Sequence, residues 1–183
     1  MTKNQIVVIA RGMGAICIVG CALRLPSHMG ADTIPPGSNG SGGPLAKAEA
    51  ELAANGNSSA MLSIGMMYAV GQFTERNDGE AVAWLRKAAA HREPLAEHYL
   101  GVAYLSGRGV PQLDTAAAYW FERASEDGLA TSALNLGVMY ASGRGVLKDA
   151  SRARSLFLRA QQLGDEGVRA DAAANLNLLD QNP

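Results

Sequence analysis

The sequence predicts an all-α fold: an αα superhelix, or solenoid, of about three helix pairs with terminal capping helices. Three observations carry this. First, Leu100-Gly-Val-Ala-Tyr-Leu-Ser-Gly-Arg-Gly-Val110 returns 36 residues later as Leu136-Gly-Val-Met-Tyr-Ala-Ser-Gly-Arg-Gly-Val146, and Ile64, Gly65, Tyr68 and Gly71 hold the same phase one period earlier. Second, the phase persists through the other half of each unit: Ala81, Ala117 and Ala153 align, as do Leu85, Phe121 and Phe157, and Ala88, Ala124 and Ala160. From Ala96, 14 of 36 positions are identical in the next copy. Third, each copy holds two helical stripes separated by glycines. A fixed period in this range marks a solenoid, whose units bury their apolar faces only by stacking.

Taken in order, the chain opens with a targeting segment, residues 1–21. Lys3 and Arg11 provide a charged region before the small, apolar Gly12–Gly20, the pattern of a secretory signal. Ile18-Val19-Gly20-Cys21 resembles a bacterial lipobox, in which the cysteine thiol is lipidated and becomes the mature N-terminus. Two alternatives stand beside it. One is a membrane anchor from Ile6 to Leu23, against which Arg11 weighs about 2.5–3.5 kcal/mol near the bilayer centre. The other is a mispredicted start with no targeting. Cys17 and Cys21 are the only cysteines, so the repeats can hold no disulfide.

Residues 22–44 read as a linker. Pro26, Pro35, Pro36 and Pro44 surround Gly-Ser-Asn-Gly-Ser-Gly-Gly, a composition that cannot bury enough apolar surface to order itself. The repeat domain is expected over 45–183. An N-terminal cap helix occupies 45–56 and stops at Gly56; repeats follow at about 60–95, 96–131 and 132–167, and a C-terminal cap at 168–180. In the last helix Asp171, Asn175 and Asn177 suit a polar outer surface.

Within each repeat, Ala96, Leu100 and Tyr104 lie on one stripe of a first helix at i, i+4 and i+8. Gly101 and Gly137 beside it leave room for a neighbouring backbone. Gly107 is expected as a left-handed cap, Gly109 as a second bend, and Asp78 and Asp114 as N-caps of the second helices. The second helix presents Ala117, Trp120, Phe121 and Ala124 on one face.

The pattern A-x-x-x-L-G-x-x-Y-x-x-G-R-G-V, followed by A-x-x-W-F-x-[RK]-A, resembles the Sel1-like repeat, a relative of the tetratricopeptide repeats. The second and third copies carry nearly the whole motif, whereas the first has Gln72-Phe73-Thr74 in place of Arg-Gly-Val. The resemblance implies an αα superhelix that binds proteins or peptides. It also sets the chain apart from the cysteine-rich secreted members, whose helix pairs are stapled by disulfides.

Chemistry-bearing clusters are few. His91, Glu93, Glu97 and His98 are the one dense set of potential metal ligands, but they lack H-E-x-x-H spacing and Pro94 interrupts any shared helix. They read as a solvated turn between repeats, with no metal. Met61, Met66, Met67 and Tyr68 read as core packing. Lys87, Arg123 and Arg159 recur in phase and read as structural, complementing helix dipoles or bonding loop carbonyls. No nucleophile elbow, phosphate loop or dinucleotide fingerprint occurs, so no catalytic residue and no cofactor is expected. Sixteen basic against 17 acidic residues, net charge −1, argue against nucleic acid as a partner.

The expectation is a protein-interaction scaffold at the bacterial envelope, facing the periplasm and touching the membrane only through lipid on Cys21. A cytoplasmic adaptor is the runner-up, and an envelope enzyme acting on cell-wall or β-lactam compounds a distant third. Binding is expected on first-helix positions that vary between copies: Tyr99, Val102 and Ser106 in the second, Ser63, Met66 and Val70 in the first, and Asn135, Val138 and Ser142 in the third. Tyr99 leads, as an aromatic where the other copies carry Ser and Asn.

Overall fold

A computed structural model of the chain describes residues 51–71 and 75–181. The expected targeting segment, with Cys21, and the expected linker lie outside the described residues. Residues 51–54 are helical, the end of the expected cap, and Gly56 stops them at φ +83°. Seven helices follow among the described residues: α1 Ser58–Val70, α2 Asp78–Ala90, α3 Pro94–Ser106, α4 Asp114–Glu126, α5 Ala130–Ser142, α6 Ala150–Leu163 and α7 Glu166–Gln181. The fold is the all-α helix-pair repeat that the sequence predicts.

The helix boundaries follow from identifiable local chemistry. The Asn57 side chain accepts the Ala60 amide at 3.0 Å, Asn77 that of Glu80 at 3.1 Å, and Asp149 that of Arg152 at 2.9 Å. Pro94 opens α3, where its missing N–H loses nothing. First helices end on a glycine in the left-handed region, Gly71, Gly107 and Gly143, at φ 70–73°.

The expected caps at Asp78 and Asp114 are corrected. The cap positions belong to Asn77 and to Leu113, which makes no side-chain cap bond. Both aspartates sit one residue later, inside the helix, which frees their carboxylates for arginine.

Two compact units divide the helices. Among the described residues, one runs to Gln112 and holds α1–α3; the other takes Leu113 onward, with α4–α7. In the first, α1 meets α2 at Gly65, where an added Cβ would lie 3.1 Å from Leu85. Ala81, Leu85 and Ala88 are buried there, the phase-aligned stripe of α2. In the second unit, one cluster joins Ala133, Leu134 and Val138 of α5, Ala153, Phe157 and Ala160 of α6, and Val168, Ala172 and Leu179 of α7. A Cβ on Gly137 would stand 2.6 Å from Phe157, so this glycine sits at a close approach of α5 to α6.

The outer polarity expected of α7 holds in part. Asn177 is exposed and Asp171 half-buried, but Asn175 is only 2% exposed, its amide donating to the Asp171 carbonyl at 2.8 Å. Asn175 faces inward on the same side as Ala172 and Leu179.

Candidate interaction surface

The two Gly-Arg-Gly turns show what the repeat motif does. After α3, the Arg108 guanidinium donates to Asp78 Oδ1 at 3.0 Å and to the Ala69 carbonyl at 3.2 Å. After α5, Arg144 grips Asp114 with two bonds of 2.8 Å. Each pair ties a loop to the start of the second helix of the preceding repeat, 30 residues back. The second glycine makes this possible. A Cβ on Gly109 would lie 2.1 Å from the Asp78 carbonyl oxygen, and one on Gly145 would lie 2.4 Å from the Asp114 backbone. Both glycines are left-handed, at φ 71° and 68°, so conformation and space demand the same residue.

Asp78 also takes a bidentate contact from Arg76, at 3.1 and 2.8 Å. That hydrogen bond, with Arg108 behind it, holds the Asp78 carboxyl at about 2, below the usual carboxylate range and against the opposing effect of burial. These clamps were missed in the sequence, although both partners recur with the repeat period.

The expected binding positions fall in both units. In the first, Tyr99 is half-buried on α3 and packs edge-to-face on His98, ring centres 5.6 Å apart. Val102, Ser63 and Met66 are half-buried, and Val70 and Ser106 exposed. In the second, Asn135 and Ser142 are half-buried. Val138 is corrected: it is 6% exposed and belongs to the core cluster with Val168 and Ala172. The α7 helix packs on α5, so this position is closed to a partner. The two serines are engaged locally. Ser106 Oγ donates to the Val102 carbonyl at 2.7 Å and Ser142 Oγ to that of Val138 at 2.8 Å, the back-bond to i−4 common for helical serines.

The residues around Pro94 separate into two environments. His91 is exposed, as a solvated turn requires, and Glu93 accepts from Ser58 Oγ at 3.2 Å. Glu97 and His98, by contrast, are 0% and 5% exposed, where the other copies place Met61-Leu62 and Ala133-Leu134. Burial drives the His98 imidazole down to about 4, so it is neutral near pH 7. Among the described residues no three His, Cys, Asp or Glu side chains converge to hold a metal.

The recurring cations also find partners. Arg159 donates to the Glu126 carbonyl at the end of α4, at 3.2 Å, a structural use as expected. Lys87 and Arg123 lie over Trp84 and Trp120 instead, 3.6 and 5.2 Å from the ring centres. Met61 is buried, with Met66, Met67 and Tyr68 half-buried around α1. Among the described residues, no helix is long and apolar enough to cross a membrane.

Paired helices joined by arginine-clamped turns, with variable side chains on the first helix, define a helical-repeat scaffold. The chain belongs to the Sel1 repeat family, whose model matches residues 58–92, 94–129 and 130–165. It is similar to a solved Sel1 repeat protein from Oxalobacter formigenes, with 34% identity over 70% of this chain and 96% of that one, at a TM-score of 0.64. It is also similar to c5321, a protective antigen of uropathogenic Escherichia coli strains with an SLR fold: 33% identity over 67% of this chain but 26% of that one, TM-score 0.64. Cysteine-rich protein B of Helicobacter pylori shares the fold at 23% identity, over 71% of this chain and 98% of that one, TM-score 0.55. No curated protein matches the chain. Proteins of Sel1 repeats generally act as protein-interaction scaffolds.

Proposed function

We propose that this chain is a scaffold that binds a protein or peptide through the first helices of its repeats, held at the bacterial envelope by lipid on Cys21. The observation that carries the binding reading is the contrast along these helices. Clamp and core positions repeat, whereas the half-buried Tyr99 breaks the pattern of its in-phase residues Ser63 and Asn135. A large amphipathic ring gives contact area at low entropic cost. The tether rests on Ile18-Val19-Gly20-Cys21 following an apolar run, and the linker would span roughly 25 Å as a flexible coil.

Two experiments test the halves separately. A photo-cross-linking amino acid at position 99 should capture a discrete partner in cells, while the same group at Leu147, on an exposed loop, should not. Equal adducts at both positions would reject the binding face. For the tether, an alkyne fatty acid should label the wild-type chain and not Cys21→Ser. Equal labelling of the two, or of neither, would reject lipidation.

A further inference from the structure

The helices α1 and α3 are tied together at both ends. At their starts, Ser58 Oγ donates to Glu93 Oε2 at 3.2 Å, and just past the end of α3 Arg108 donates to the Ala69 carbonyl at 3.2 Å. Start on start and end on end, these two first helices run side by side in the same direction. Residues one period apart therefore lie level on them: Ser63 with Tyr99, Met66 with Val102, and Val70 with Ser106. All six are half-buried or exposed, and Leu95, 42% exposed, extends the α3 row by one turn.

Neither helix exposes a charge on this face. α1 contains no Asp, Glu, Lys, Arg or His, and α3 contains only Glu97 and His98, which are 0% and 5% exposed. The intervening α2 carries the charge instead, at Asp78, Glu80, Arg86 and Lys87. A charged group of a partner docked on the α1–α3 face would lose water and meet no counter-ion, which is unfavourable. An apolar group has no such penalty and gains contact with Leu95, Tyr99, Val102, Met66 and Val70. The partner's backbone sets a second constraint. An extended segment brings one N–H and one C=O per residue, and each needs a partner once buried. The polar side chains on these rows are Ser63, Tyr99 and Ser106, and the Ser106 hydroxyl already donates to the Val102 carbonyl at 2.7 Å. A helix satisfies its own backbone and presents apolar anchors at i, i+4 and i+7.

We infer that the α1–α3 face docks the uncharged, apolar side of an amphipathic helix belonging to a partner. Complementarity of charge is the argument: a neutral face takes a neutral face, while the ionic side of the partner helix stays in water. The inference rests on the scaffold reading and names the partner's chemistry.

The test is fluorescence anisotropy of the full chain with a labelled, end-capped peptide of about sixteen residues, leucine on one helical face and glutamine and alanine elsewhere. One control peptide carries a central proline, and another has glutamate in place of two leucines. The leucine peptide should bind, with an affinity that changes less than about twofold between about 0.05 and 0.5 M salt. Both controls should bind about tenfold or more weakly. Val102→Asp should weaken the leucine peptide about tenfold, whereas Ala83→Asp, at an exposed position of α2, should leave it unchanged. Val70→Lys separates binding from folding. Val70 is 48% exposed in the last turn of α1, where a cation suits the helix dipole, so binding should fall several-fold with the thermal melt retained. A leucine peptide that does not bind, a proline peptide that binds equally well, or a glutamate peptide that binds more tightly overturns the inference. So does an Ala83→Asp loss as large as that of Val102→Asp. Cross-links at position 99 with no peptide binding would sink this inference and leave the scaffold reading standing. Peptide binding without those cross-links would uphold the chemistry of the face and reject a cellular partner at Tyr99.

Discussion

Single residues decide how the repeats lock together, and magnitudes rank them. The Arg144–Asp114 pair is about one-third exposed on each side, so Asp114→Ala should destabilise by about 1 kcal/mol or less. Gly145→Ala should be worse. Its methyl would strike the Asp114 backbone while forcing alanine to φ 68°, and overpacking alone costs about 1–3 kcal/mol. Urea melts of both variants check the order; an Asp114→Ala loss exceeding that of Gly145→Ala would show that charge rather than fit holds the turn. His98 sets a pH dependence. Its folded value of about 4 lies below an unfolded value of about 6.5, so the unfolded chain binds more protons between them. Stability should therefore fall as pH drops from about 6.5 toward 4, by on the order of 3 kcal/mol. His98→Leu, the residue found in phase at 62 and 134, should flatten that slope in melts between pH 7 and 4.5. An unchanged slope would assign it to another group.

Helices were the most legible level, because a 36-residue repeat lets each copy check the others. Glycine caps at 107 and 143 and the core stripe of Ala153, Phe157 and Ala160 follow directly from that phase. The misses have a common physical cause: they depend on contacts between elements. Asp78 and Asp114 looked like caps because an acid at a helix start is usually one, and only the overlay of a later turn shows their arginines. Val138 lies opposite the Leu136 stripe on α5 alone and is covered only by α7, and Asn175 turns inward on a terminal helix whose other polar residues suit an outer surface. Burial of Glu97 and His98 has no signal in their own residue types; only the apolar residues in phase with them, Met61-Leu62 and Ala133-Leu134, point to it. One element-scale prediction follows from the contact of α5 with α6. Gly137→Val drives a branched side chain into Phe157 and should lower stability by about 1–3 kcal/mol or more. A thermal melt unchanged by this substitution would show that the two helices do not approach at that residue.

At the scale of the whole molecule, three Sel1 repeats supply repeated contacts while positions on both helices still vary between copies, Tyr99 among them. The motif that looks most like a ligand loop, Gly-Arg-Gly, is occupied in joining repeats, which leaves the proposed partner binding to residues that differ between copies. Tyr99 is the sharpest case, and one paired measurement tests the account there. Tyr99→Ala is compared with wild type for recovery of the partner on immobilised repeat domain and for its circular dichroism melt. Weakened recovery with a nearly unchanged melt is the predicted result. A lowered melting temperature with recovery retained would place Tyr99 in the packing of the repeats and contradict binding at this face.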